Sequence, residues 1–101
     1  MRADDVFASR GEFFRVLQET GRTQTAVMTI APGRSAGPEE THAADQVVYV
    51  IEGEALVRIA DEERRCGPGT VLTIPAGMRH HVLNPGRVPL FVLTVYAPPA
   101  Y

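Results

Sequence analysis

The chain has 101 residues, 10 basic against 12 acidic side chains and a formal net charge of −2. This leaves no electrostatic footprint for nucleic acid or an anionic membrane surface, and the length argues for one domain around one core. No run of about 18 apolar residues occurs, so no membrane span is expected. A single cysteine, Cys66, excludes an internal disulfide framework. Together with an N-terminus, "MRADDVFASRGEFF", that lacks a signal peptide's apolar segment, this leads to the expectation of a cytoplasmic protein.

In chain order, residues 1–12 read as an N-terminal arm, a short helix or irregular. Seven short runs rich in Val, Ile, Leu, Thr and Phe follow: "FFRVLQ" (13–18), "TQTAVMTI" (23–30), "QVVYVI" (46–51), "EALVRIA" (54–60), "TVLTI" (70–74), "HHVL" (80–83) and "LFVLTVY" (90–96). Glycine and proline turns separate them, among them "APG" (31–33), "EG" (52–53), "CGPG" (66–69), "PAG" (75–77) and "NPG" (84–86). Short strands at such spacing predict an all-β sandwich or barrel. In "QVVYVI", alternation puts Gln46, Val48 and Val50 on one face and Val47, Tyr49 and Ile51 on the other. Both faces are apolar, so the strand is predicted to be buried on both sides. A second copy of the chain is the expected cover, giving a homodimer, with the N-terminal arm as the alternative.

The stretch "GTVLTIPAGMRHHVLN" runs Gly, five residues, Pro, one residue, Gly, two residues, His, three residues, Asn. Gly69 permits a turn into the strand, and Pro75 with Gly77 makes a corner that ends it. The pattern resembles the second sequence motif of the cupin family at Gly69, Pro75, Gly77, His80 and Asn84. The first cupin motif is His-x-His, three or four residues, Glu, six residues, Gly. Here the corresponding stretch is Glu40-x-His42, three residues, Gln46, six residues, Gly53; the spacing is kept while two residue types change. From about Phe13 to Pro99 the chain resembles a group of small single-domain cupins, loosely labelled mannose-6-phosphate isomerase-like, which are similar in using Glu, His, Gln and His. The resemblance implies an all-β cupin jelly roll over residues 13–99, preceded by the arm 1–12. It also implies a metal at the barrel mouth held by Glu40, His42, Gln46 and His80.

Such a donor set has nitrogen and oxygen but no thiolate. It suits a divalent transition metal, Mn, Fe, Ni, Cu or Zn, without selecting among them, and leaves positions for water or substrate. Cys66, on the strand that leads into the "GPG" turn, has no cysteine partner at zinc-site spacing. Other readings stay open. Glu40 beside Glu39 also suits a solvated loop, Gln46 also suits an amide bonded inside the barrel, and a cupin can keep its barrel without a metal. His81 is expected to point away from His80, Asn84 to hold the turn before Pro85, Arg79 to be solvated, and Tyr49 and Tyr96 to pack. Met28, Val48, Met78, Val82 and Phe91 are expected to line the pocket. The ligand would be a small sugar- or keto-acid-like molecule, with isomerase-type chemistry. The alternatives are a metal-dependent dioxygenase or a non-catalytic binding module. No catalytic base is identifiable: Glu52 and Glu54 lie at a remote turn.

Overall fold

The computed structural model describes residues 1–101. Each of the seven apolar runs forms a strand: β1 (Arg15–Glu19), β2 (Gln24–Ile30), β3 (Asp45–Glu52), β4 (Ala55–Ile59), β6 (Val71–Ile74), β7 (His80–Leu83) and β8 (Leu90–Ala97). An eighth, β5 (Glu62–Cys66), was not among those runs. Its sequence "EERRC" is charged at all positions but the last, and it forms because its whole length pairs with β4, from Glu62 opposite Ile59 to Cys66 opposite Ala55. The arm contains one 3-10 turn, Val6–Ser9, capped by Asp5. No helix is long and apolar enough to cross a membrane.

The strands form two antiparallel sheets, one ordered β1-β2-β8-β3-β6 and the other β5-β4-β7. Strands β3 and β8 make the centre of the larger sheet, and their alternation decides what lies between the layers. Val48, Val50 and Val92 project inward with Met28 and Ile30 of β2, and meet Ala55, Val57, Cys66 and Val82 of the smaller sheet. This is the main core of an all-β jelly roll. Gln46 and Tyr96, directly paired across β3 and β8, share its inward register at one end of the sandwich. There the core gives way to polar side chains.

The outer face of the larger sheet is also apolar, as the sequence implies, but it is covered only in part. Phe91, Leu17 and Val27 are buried beneath Val6, Ile51 and Leu93. Phe7 of the arm lies 6.0 Å from Phe91, with the Arg10 guanidinium 4.8 Å over the Phe7 ring. Beyond the arm, Tyr49 and Val71 remain 41% and 62% exposed. The arm therefore supplies the cover for one end of this face and leaves the other open.

Gly53 turns β3 into β4 with φ +82°, a conformation that costs an L side chain energy. A Cβ at this position would also lie 2.5 Å from the Pro89 carbonyl oxygen and 2.9 Å from Leu90 Cα, both backbone atoms of a central strand's entry. Gly53→Ala is expected to destabilise the fold by about 2 kcal/mol or more through strain and overpacking, lowering the melting temperature by roughly 8–16 °C. A calorimetric scan within a degree or two of wild type would contradict this account of the turn.

Candidate metal centre

Glu40 and His42 do not lie on β3 with Gln46; they precede it in an irregular segment. Backbone hydrogen bonds to the corner between β6 and β7 give that segment its shape. The Glu40 N–H donates to the His80 carbonyl at 3.1 Å, and the His80 N–H returns to the Glu40 carbonyl at 2.9 Å. Gly77, whose φ of +79° lets the "PAG" corner close, donates its N–H to the His42 carbonyl at 2.7 Å. Ala76 donates to Asp45 Oδ1 at 2.8 Å. The two motifs are thus tied to each other through main chain before any side chain is considered.

These ties bring the side chains together. One ligand atom each from Glu40, His42 and His80 lies within 4.8 Å of the others. Glu40 Oε1 is 3.3 Å from His42 Nε2, and the two imidazole rings are 5.0 Å apart. His80, nearly fully buried, has its Nδ1 3.1 Å from the Met78 carbonyl oxygen. A carbonyl only accepts, so Nδ1 carries the proton and Nε2 keeps its lone pair, the arrangement of a metal-ligating histidine. Burial holds the His42 imidazole below its ordinary pKa; the Glu40 carboxylate opposes this and His80 adds to it. His42 is thereby kept neutral, the form that ligates.

Gln46 comes from β3. Its Nε2 donates to Thr94 Oγ1 at 3.0 Å and approaches Tyr96 Oη at 3.4 Å. Its Oε1 is buried with no hydrogen-bond partner. A buried amide oxygen left bare costs about 1–3 kcal/mol, and a cation beside it would remove that cost. The residues present therefore fit a metal ion: two imidazoles, one carboxylate and one amide border one cavity.

That cavity measures about 210 Å³. Met28 and Val82 line it, together with Phe13, Phe14, Tyr96 and Tyr101, which the sequence did not single out for the site. Three of the residues expected in the pocket lie elsewhere. Val48 shares Gln46's face but sits deeper, closed within the core. Phe91 is on the opposite face of β8 from Thr94 and Tyr96, packed with Leu17 and Val27. Met78, on the exposed corner before β7, borders a different groove with Val57 and Ile59. His81 is half-buried opposite Arg58 and touches the cavity rim. Tyr96 was expected only to pack, yet it borders the site, its phenol pushed up above the ordinary pKa by burial. Burial and the Glu40 carboxylate raise Tyr101 likewise. Arg79 pairs with Glu39 at 3.3 Å on the surface. Asn84 holds its turn by donating to the Ile30 and Val88 carbonyls, both at 2.8 Å.

Residues 26–96 match a family model described as a cupin domain. Among curated proteins, the chain is 29% identical over 93 residues to the uncharacterized protein YrkC of Bacillus subtilis, covering 85% of this chain and 50% of that protein. It is 35% identical over 69 residues to the tetracenomycin polyketide synthase protein TcmJ of Streptomyces glaucescens, covering 68% of this chain and 46% of that one. The chain thus spans about half the length of these two relatives. Among solved structures, it superposes on BH2720 from Bacillus halodurans with a TM-score of 0.91 at 28% identity, covering 100% of this chain and 83% of that one.

Two predictions follow from the donor set. Zinc held at one hundred times its dissociation constant should raise the stability of the wild-type chain by about 2.7 kcal/mol, and chelator should reverse the shift. The His42→Ala/His80→Ala double variant should show no shift at all in the same thermal scan. Gln46→Leu should fold normally but bind zinc roughly 10-fold or more weakly by isothermal titration; unchanged affinity would remove the amide from the donor set.

Proposed function

The chain belongs to the cupin family, and on that premise we propose that it binds a divalent transition metal through Glu40, His42, Gln46 and His80 and offers it to a small, oxygen-rich molecule. We read that molecule as sugar- or keto-acid-like, and the chemistry as isomerase-type. One observation carries the reading: three ligand atoms converge within 4.8 Å in a cavity that Gln46, whose buried Oε1 has no hydrogen-bond partner, also lines. When bound, the metal supplies Lewis acidity at a carbonyl or hydroxyl oxygen.

Cavity size supports the choice of ligand. Pockets for drug-sized molecules run from about 300 Å³ upward, whereas this one is about 210 Å³. A ligand of a few carbons fits a cavity of this size, and the name of TcmJ does not set the ligand class here. Apolar and aromatic side chains form one wall, and they exclude water from one side of a ligand whose oxygens face the histidines.

Proton movement falls to few groups. Glu52 pairs with Arg10 and Glu54 with Arg65, both away from the cavity. Glu40 is the only carboxylate bordering it. In an isomerisation Glu40 would hold or pass the proton while the histidines fix the substrate's oxygen. That scarcity of free bases favours a second reading, a binding module that holds the same ligand without turning it over. The dioxygenase alternative is separated from both by oxygen consumption with iron-loaded protein.

We also assign a second copy of the chain to the open part of the outer face. Val47, Tyr49, Val71, Leu93 and Val95 lie there in adjacent strands with no charged side chain among them, the composition of a homodimer core. We place the protein in the cytoplasm, where its one free cysteine, buried Cys66, stays reduced.

The functional test is metal-dependent interconversion of short keto and hydroxy sugar acids, followed by NMR with zinc-, manganese- and iron-loaded protein. Turnover by the loaded wild type and none by the apo chain is the expected result. Glu40→Gln that keeps its metal but loses all turnover would make Glu40 the base. A ligand-induced thermal shift without turnover would establish the binding module instead, and metal content well below one ion per chain after reconstitution would end both. For the dimer, light scattering should give two chains for wild type and one for Val71→Glu/Tyr49→Glu; a monomeric wild type would refute the assignment.

A further inference from the structure

Tyr101 belongs to neither motif, yet its phenol sits among the metal donors. Tyr101 Oη is 3.3 Å from Glu40 Oε1 and 3.3 Å from His42 Nε2, and those two atoms are themselves 3.3 Å apart. Three donor atoms therefore occupy the corners of an equilateral triangle. Neighbouring ligands of one ion at bond lengths of about 2.0–2.1 Å are separated by about 3 Å or slightly more, so three atoms this close can share one ion. The same three atoms also close as hydrogen bonds when His42 carries its proton on Nε2, the phenol then donating to the carboxylate and accepting from the imidazole; a bound ion instead takes the Nε2 lone pair and displaces the phenolic proton.

The position of the phenol is built by the fold. Strand β2 carries Gln24 opposite Tyr96 in the β2–β8 ladder, and Gln24 is 1% exposed. Its Oε1 accepts the N–H groups of Ala100 at 3.2 Å and Tyr101 at 3.0 Å. Its Nε2 donates to the Tyr101 carbonyl oxygen and to Glu19 Oε1. Three of these bonds from one buried amide seat the segment that ends in Tyr101. The ring then packs against Phe14 and Tyr96, each at 5.2 Å between centroids, and edge-on to His42 at 5.5 Å. The rest of the ring is open to solvent.

We propose that Tyr101 is a further ligand of the Glu40–His42–His80 centre, its phenolic oxygen delivered by a segment that Gln24 latches across the cavity mouth. The proposal rests on the metal reading above. Binding forms a metal–oxygen bond and releases the phenolic proton to solvent. It adds a second anionic oxygen to the one from Glu40, which shifts the preference of the site toward hard, highly charged ions such as ferric iron. It also narrows the opening: substrate reaches the centre past Phe13 and Phe14 or by displacing Tyr101.

The test uses the full, tag-free chain loaded with ferric iron at neutral pH, with metal analysis and visible absorption read together. A phenolate–ferric bond gives an intense charge-transfer band in the visible, and resonance Raman excited in that band shows tyrosinate vibrations. Wild type is expected to show the band. Tyr101→Phe is expected to lose it while keeping bound iron, with affinity lower by roughly 10-fold or more. Tyr96→Phe should keep the band, which assigns it to the right tyrosine. Gln24→Leu, checked for folding by circular dichroism, should weaken it by unlatching the segment. Iron bound at one per chain without a band, or a band that survives Tyr101→Phe, overturns the proposal and leaves the metal reading standing. Failure to take up iron also overturns it, and zinc binding by the same protein then decides whether the metal reading survives.

Discussion

The Glu40–His80 backbone pair is the constraint on which the site depends. Two N–H groups and two carbonyls, at 3.1 and 2.9 Å, join the segment between β2 and β3 of the larger sheet to the first residue of a strand in the smaller one. No side chain of a metal site could be positioned without that join, because β3 and β7 lie in different sheets. The Gly77 N–H on the His42 carbonyl and the Ala76 N–H on Asp45 extend the same stitch. Main-chain bonds of this kind are indifferent to most side-chain changes. They explain how a position that holds histidine in other cupins holds glutamate here without altering the approach of the two segments.

The site is also where the structure tolerates local incompatibility. Elsewhere between the sheets the side chains are aliphatic and closed. At this end they give way to a buried amide with a bare oxygen and a histidine kept neutral against its carboxylate neighbour. A folded chain carries such features only if its core supports them, and they concentrate where function is located. Gln46 shows the balance well: its nitrogen is fully used by Thr94 and Tyr96, which fixes the orientation of the oxygen before any ion arrives.

Much of this was legible in the sequence, for identifiable reasons. Strands β2, β3 and β8 bury one or both faces, so period-two apolar patterning marks them. The spacing of Glu40, His42 and Gln46, and that of His80 within its own glycine–proline motif, is short-range and survives as two strings. Strand β5 was not legible, since "EERRC" has the composition of a loop and only its pairing with β4 makes it a strand. The pocket lining was read partly wrongly because alternation was applied to Val48 without depth and to Phe91 without register. Counting along β8 from Thr94 would have put Phe91 on the far side and Tyr96 at the site. Tyr101 and Gln24 were beyond such reading altogether. They lie 77 positions apart along the chain and meet only through the β2–β8 ladder, which no local spacing encodes.

The charged character of β5 has a consequence of its own. It borders the smaller sheet with one free row of amides and carbonyls, the kind of rim on which a stray polypeptide can add itself and start a fibril. Glu62, Glu63, Arg64 and Arg65 crowd that rim on both sides, so a newcomer would have to strip water from charges to dock. The molecule thereby discourages ribbon-like growth at this rim.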